Sequence, residues 1–94
     1  MSGDQEPAVF AQSVCATLVR FLSERLGTAV AADQDLFKSG LASSMFAMQL
    51  VVHLEETYEI TITGSDLILD NFRTAQAMAA LVTRLHPVLA AADA

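Results

Sequence analysis

The chain has no tryptophan, one cysteine, two prolines, four glycines and five basic residues against eleven acidic ones. The single thiol, Cys15, excludes an internal disulfide and a cysteine-based zinc site and fits a reducing, cytoplasmic setting. At a helical position it is expected to be a small buried hydrophobe. The shortage of Lys and Arg leaves a formal charge of −6. Such a charge repels nucleic acid and anionic membrane surfaces and favours partners with basic patches. Few helix breakers and a hydrophobic content of 53% exclude a disordered or linker-like chain. At 94 residues the chain supports one packed core, without room for a second fold or a deep enclosed active site. One domain over 1–94, monomeric, with 1–6 and 88–94 fraying, is the expectation.

Long hydrophobic runs are also missing. The uncharged stretch Ser39 to Leu54 is too short in its apolar part to span a bilayer and holds serines and a glutamine. Met1 to Pro7 carries acids and no basic leader, so it does not read as a secretion signal.

What is present is helical periodicity. Phe10, Val14, Leu18, Phe21, Leu22 and Leu26 recur at three- and four-residue steps, predicting a helix from Pro7 to Leu26 that Gly27 ends. A loop from about Thr28 to Ser43 follows, with Leu36 and Phe37 expected to fold back on the helices. A second helix is expected from Ser43 or Ser44 to about Tyr58. Its residues Ala47, Leu50, Val51, Leu54 and Tyr58 form one apolar stripe, and Met45, Met48 and Val52 form another. Either the second stripe is an adaptable exposed surface or both stripes are core.

Ile60 and Ile62 suggest an extended connector with both isoleucines buried. Ser65 or Asp66 would cap a short helical turn through Leu69, and Asp70 to Arg73 would turn the chain. Thr74 would cap a last helix, Ala75 to about His86, which Pro87 stops. The fold class is therefore all-α: a four-helix bundle of three main helices and one short helix.

The chemistry concentrates at Ser43-Ser44, where loop becomes helix. The first N–H groups of a helix lack intrahelical partners and carry partial positive charge, so a phosphate ester on Ser44 would be stabilised there. A helix cap alone would also explain a serine at this place. Hydrolase chemistry is disfavoured: His53 lies nine residues further on, about 13 Å along the axis, beyond reach of Ser44. Neither His53 nor His86 has an evident orienting partner, and both read as surface or cap residues. The histidines and acids lack metal-ligand spacing, and Asp33, Asp35 and Asp70 read as turn residues. No catalytic or metal-binding residue is expected.

Phe37, Gly40-Leu41, Ser44-Met45, Gln49-Leu50, Leu54-Glu55-Glu56, Tyr58, Ile60, Ile62 and Phe72-x-Thr74 resemble the acyl and peptidyl carrier protein family over nearly the whole chain. The segment Phe37 to Leu50 is especially similar to stand-alone carriers, such as D-alanyl carrier proteins. The resemblance implies that Ser44 receives 4′-phosphopantetheine from coenzyme A, and that the arm's thiol carries an acyl or aminoacyl thioester. It further implies no enzymatic activity of the chain's own. The implied partners are a phosphopantetheinyl transferase, an acyl- or aminoacyl-loading enzyme, and a downstream synthase or transferase.

Two departures matter. The family's Asp before the serine is Ser43 here, and counting from Phe37-x-x-Gly40 and from Leu54-Glu55-Glu56 assigns the attachment to Ser44, with Ser43 as cap. Acids common early in the family's recognition helix are replaced by Phe46 and Gln49. Partner docking is expected on Met45, Met48, Gln49, Val52, Glu55 and Glu56, with the early contacts more apolar than usual. The second helix and the connector could shelter a cargo, with Ile62 and Leu67 as walls, or enclose nothing. The Ala-rich composition and the serine pair suggest an acyl carrier of polyketide or mixed polyketide-peptide biosynthesis. A D-alanyl or other aminoacyl carrier stays open, as does an unmodified, non-covalent helical interaction module.

Overall fold

The computed structural model describes residues 5–86. Three α-helices, α1 (Gln5–Leu26), α2 (Ser44–Tyr58) and α3 (Ala75–Leu85), account for most of the chain. No strand occurs among the described residues. The fold is all-α, and it differs from expectation in three places.

Helix α1 begins at Gln5, ahead of Pro7. A proline is tolerated there because first-turn N–H groups have no intrahelical partner to lose. Gln5 and Glu6 are thus helical, and the rest of the expected frayed ends lies outside the described residues. The short helix expected from Ser65 or Asp66 is instead two 3-10 turns, Gly64–Asp66 and Leu69–Phe72. The break is made by Leu67, at φ −84° and ψ 61°, and by Ile68, which is extended. Neither Ser65 nor Asp66 caps anything; Thr63 holds the capping position without a side-chain bond.

The third difference is Cys15, which is half-buried and packs beside the core without entering it. Burial raises its thiol pKa, which keeps the thiolate scarce.

The core is made where the apolar stripes meet. Val14, Leu18 and Leu22 of α1 face Met78, Leu81 and Val82 of α3, all buried, and these two helices are the main packed pair. Helix α2 inserts Leu50 and Leu54, while the connector contributes Ile60, Ile62 and Phe72. As the alternation predicted, both isoleucines are buried in an extended segment. Burying side chains of this size contributes about 1.5–3 kcal/mol each, so the faces of α1, α2 and α3 are fixed by what they cover.

Loop 27–43 is folded onto this core. Val30 and Leu36 are buried in it, and Phe37 packs against it. Backbone bonds fasten the loop to the start of α3: Leu36 N–H donates to Arg73 C=O at 2.8 Å, and Gln76 N–H to Ala32 C=O at 3.1 Å. This ordered route carries the chain to Ser43 and Ser44.

Candidate functional site

The approach to Ser44 is built from short-range bonds. Asp35 Oδ1 accepts the N–H groups of Lys38 (2.8 Å) and Phe37 (3.0 Å). Its other oxygen, Oδ2, accepts from Arg73 Nη1 at 3.3 Å. The Lys38 N–H above all, then the Phe37 N–H and the Arg73 guanidinium, outweigh burial and hold the Asp35 carboxyl below its ordinary pKa. Asp35 is thus a turn residue, as expected, and also a tie between the loop and the start of α3. Gly40 sits at φ +81°, a left-handed conformation that side-chain-bearing residues avoid. Ala42 N–H then returns to Leu36 C=O at 2.9 Å.

The two serines separate at the next step. Ser43 is extended, at φ −98° and ψ 170°, and its Oγ accepts the N–H of Phe46 at 3.2 Å. Its C=O accepts the N–H of Ala47 at 3.1 Å. Ser43 is therefore the N-cap of α2. Ser44 is the first helical residue and is exposed. Of the four N–H groups that a helix start presents, Phe46 gives its own to the Ser43 cap, while those of Ser44 and Met45, beside the hydroxyl, have no intrahelical partner. The first turn of α2 contains no acid. An exposed hydroxyl beside uncommitted N–H donors, with no carboxylate opposing it, fits a covalently attached phosphodiester in space and in charge.

The expected docking residues occupy several environments. Met45, Met48 and Val52 are exposed, Met45 and Met48 by 72% and 71%. Gln49 and Glu56 are exposed along a cleft of about 190 Å³ between α1 and α2, which Phe21, Arg25 and His53 also line. Glu55 is different. Its Oε2 accepts the N–H of Ile62 at 2.9 Å, and the side chain is half-buried. That carboxylate fastens the connector to α2, a structural role beside the docking role expected of it.

His53 is no plain surface residue either. Its ring stacks on Phe21 at 3.9 Å and 7°, and Nδ1 lies 3.4 Å from Thr57 Oγ1. Burial first, then the Arg25 charge, lower its pKa against the opposing pull of Glu56. His86 is the C-cap residue of α3 and packs edge-on against Phe10. Among the described residues no group of His, Cys, Asp or Glu is gathered to hold a metal, and no helix is long and apolar enough to cross a membrane.

Between α2 and the connector, where a shelter with Leu67 as a wall was one expectation, lies a groove whose other walls were not read from the sequence. Leu67, Ile68 and Leu69 are exposed by 50%, 50% and 44% and form, with Ala47, Met48, Val51 and Phe72, an apolar groove of about 300 Å³. Ala47, Met48 and Val51 follow Ser44 at helical steps of three, four and seven, so the groove runs from the serine along one side of α2. Ile62 does not line it; it is buried in the core, which corrects its reading as a wall. The available signal was the Leu67-Ile68-Leu69 run itself, with acids on either side.

Comparison with known proteins agrees with this geometry. The family described as "Phosphopantetheine attachment site" matches residues 16–82. A D-alanyl carrier protein of Lactobacillus delbrueckii subsp. bulgaricus is 33% identical over 54 residues, covering 57% of this chain and 68% of that protein. One from Streptococcus mutans is 36% identical over 54 residues, with the same coverage. A third, from Lactococcus lactis subsp. cremoris, is 38% identical over 50 residues, covering 53% and 63%.

Proposed function

This chain belongs to the phosphopantetheine attachment-site family, and from that premise we propose that Ser44 bears the arm and that the cargo is an aminoacyl group. The family assigns the chain a covalent 4′-phosphopantetheine and the role of a carrier, with chemistry left to a phosphopantetheinyl transferase and a loading enzyme. The observation that carries Ser44 is the division of labour at the start of α2: Ser43 Oγ is spent on the Phe46 N–H, while Ser44 is exposed on the first helical turn.

When bound, the arm supplies a terminal thiol that holds its cargo as a thioester. Ser44 Oγ anchors it, and the Ser44 and Met45 N–H groups offset the phosphodiester charge. The tether raises the local concentration of cargo at each partner. Partners approach along Met45, Met48, Gln49 and Val52, with Glu56 at the far end. The D-alanyl carrier relatives support an aminoacyl cargo, D-alanine or another small amino acid, better than the polyketide acyl unit suggested by the Ala-rich composition. A monomer in the cytoplasm, handing its cargo to a downstream transferase, fits this role.

The test begins with purified protein, coenzyme A and a broad-specificity phosphopantetheinyl transferase. Intact and peptide mass spectra of wild type, Ser43→Ala and Ser44→Ala are expected to show one added arm that only Ser44→Ala loses. An arm on Ser43, or no arm at all, would refute the assignment. The loaded protein is then given ATP, D-alanine and a D-alanine-activating ligase. A thioester-linked gain supports aminoacyl carriage; its absence, with malonyl transfer from a polyketide acyltransferase instead, restores the acyl reading.

A further inference from the structure

The start of α2 lacks the negative charge that helix starts ordinarily gather. Its cap, Ser43, is neutral, and no acid stands in its first turn. The first charged residue of the helix is Glu55, eleven positions after Ser44. That is about 16 Å along the axis, beyond the roughly 10 Å over which exposed charges act at 0.1 M salt. In the loop between Asp35 and Ser43 the only charged side chain is Lys38, which adds to the positive side. Asp35 itself is committed to the Phe37 and Lys38 N–H groups and to Arg73.

The cap satisfies the Phe46 N–H, but it does nothing for the partial charge that the aligned peptides leave at Ser44 and Met45. An aspartate in place of Ser43 would cap as well and would answer that charge. Serine leaves it unanswered. The helix start alone names no ligand, whereas the match to the phosphopantetheine attachment family does. The group it assigns to the chain is joined through a phosphodiester, a permanent anion. On Ser44 Oγ that anion stands at the first helical residue, which is exposed, and so occupies the place where the missing charge belongs.

We propose that the arm completes the helix: the phosphodiester on Ser44 supplies the charge that Ser43 withholds, so that attachment tightens the first turn of α2 and makes the loaded chain more stable than the unloaded one. Loading is then written into the fold as well as into the thiol. Met45, exposed by 72%, belongs to that turn. An enzyme that takes cargo from the loaded chain therefore meets a firmer surface than the transferase meets on the bare one.

This coupling rests on attachment at Ser44, and the experiment separates the two. Unloaded and loaded forms of wild type, Ser43→Asp and Ser43→Asn are prepared with coenzyme A and a broad-specificity transferase, checked by peptide mass spectra, and melted at neutral pH in about 0.1 M salt. Both substitutions keep a capping oxygen, and the two differ from each other in charge. Wild type and Ser43→Asn should gain about 2–6 °C in Tm on loading, the shift that an anion at a helix start gives a domain of this size. Unloaded Ser43→Asp should already melt above unloaded Ser43→Asn by a similar margin, and loading should raise it by about 1 °C or less. Amide hydrogen exchange at Ala47, whose N–H closes the first turn onto Ser43 C=O, should slow about two- to fivefold on loading wild type.

Wild type that takes up no arm, or takes it up on another residue, sinks the attachment reading itself. Loaded wild type that melts within about 1 °C of the unloaded form overturns the coupling and leaves attachment standing. So does an undiminished gain in Ser43→Asp, since the arm would then act through something other than charge. Unloaded Ser43→Asp that melts no higher than unloaded Ser43→Asn also overturns it, without any transferase, because the helix start would not be short of negative charge.

Discussion

Ser43 and Ser44 carry the same hydroxyl, and one hydrogen bond separates their work. The Ser43 oxygen is fixed by the Phe46 N–H at the cap of α2; Ser44 Oγ makes no such bond and faces outward. Ser43→Ala should therefore cost about 0.5–2 kcal/mol of stability, the usual range for losing a capping oxygen. Ser44→Ala should shift it by no more than about 0.5 kcal/mol, as for other surface substitutions. Urea unfolding of the two unmodified variants checks this, and equal losses would mean that both serines cap. The division was legible from spacing, because Ser43 stands three residues before Phe46. The role of Glu55 was not. Its partner, the Ile62 N–H, lies beyond a helix end at which Glu59 adopts φ +55°, and that reversal leaves no periodic trace for a non-glycine residue. His53 was missed for a related reason: its ring partner, Phe21, belongs to another helix.

Helix α2 has two apolar stripes with opposite fates. Leu50 and Leu54 are buried, while Met45, Met48 and Val52 are exposed. The sequence could pose this choice but could not make it, since both stripes have the same helical period; the direction from which α1 and the connector arrive decides. Leu54→Ala should cost about 2–5 kcal/mol, the transfer loss plus the cavity it leaves. Thermal or urea denaturation measures it, and an unaffected Leu54→Ala would place the faces wrongly. The connector was read less well than the helices. Buried isoleucines at alternate positions gave its extended stretch, but the capping signals at Ser65 and Asp66 suggested a helix where two 3-10 turns form. Asp66 is taken by Arg84, 18 residues on, and its C=O by Asn71 Nδ2 at 2.8 Å, contacts that override its capping preference.

At the scale of the molecule, two ties between elements respond to acid. One joins α1 to α2 through the Phe21–His53 stack; the other joins the Ser44 loop to the start of α3 through Asp35 and Arg73. Both titrating groups have folded pKa values below their ordinary ones, 6.5 for His53 and 3.8 for Asp35. In each case the unfolded chain binds its proton at a higher pH than the folded chain does, so stability rises with pH across that window. The His53 contribution is complete above pH 6.5 and is lost as the pH falls through the lower folded value. The Asp35 contribution is complete above pH 3.8 and is lost below that, in a second step. Melting temperatures measured from neutral pH downward should fall in both steps. His53→Phe preserves an aromatic ring on Phe21 and should remove the first step, leaving the second. Asp35→Asn should flatten the second and lower stability at neutral pH, because a neutral amide accepts the Lys38 and Phe37 N–H groups more weakly and cannot pair with Arg73. A His53→Phe profile that still declines just below pH 6.5 would show that the α1–α2 contact does not govern acid sensitivity. An unchanged Asp35→Asn profile would show that the loop carrying Ser44 is held by its buried Leu36 and backbone bonds alone.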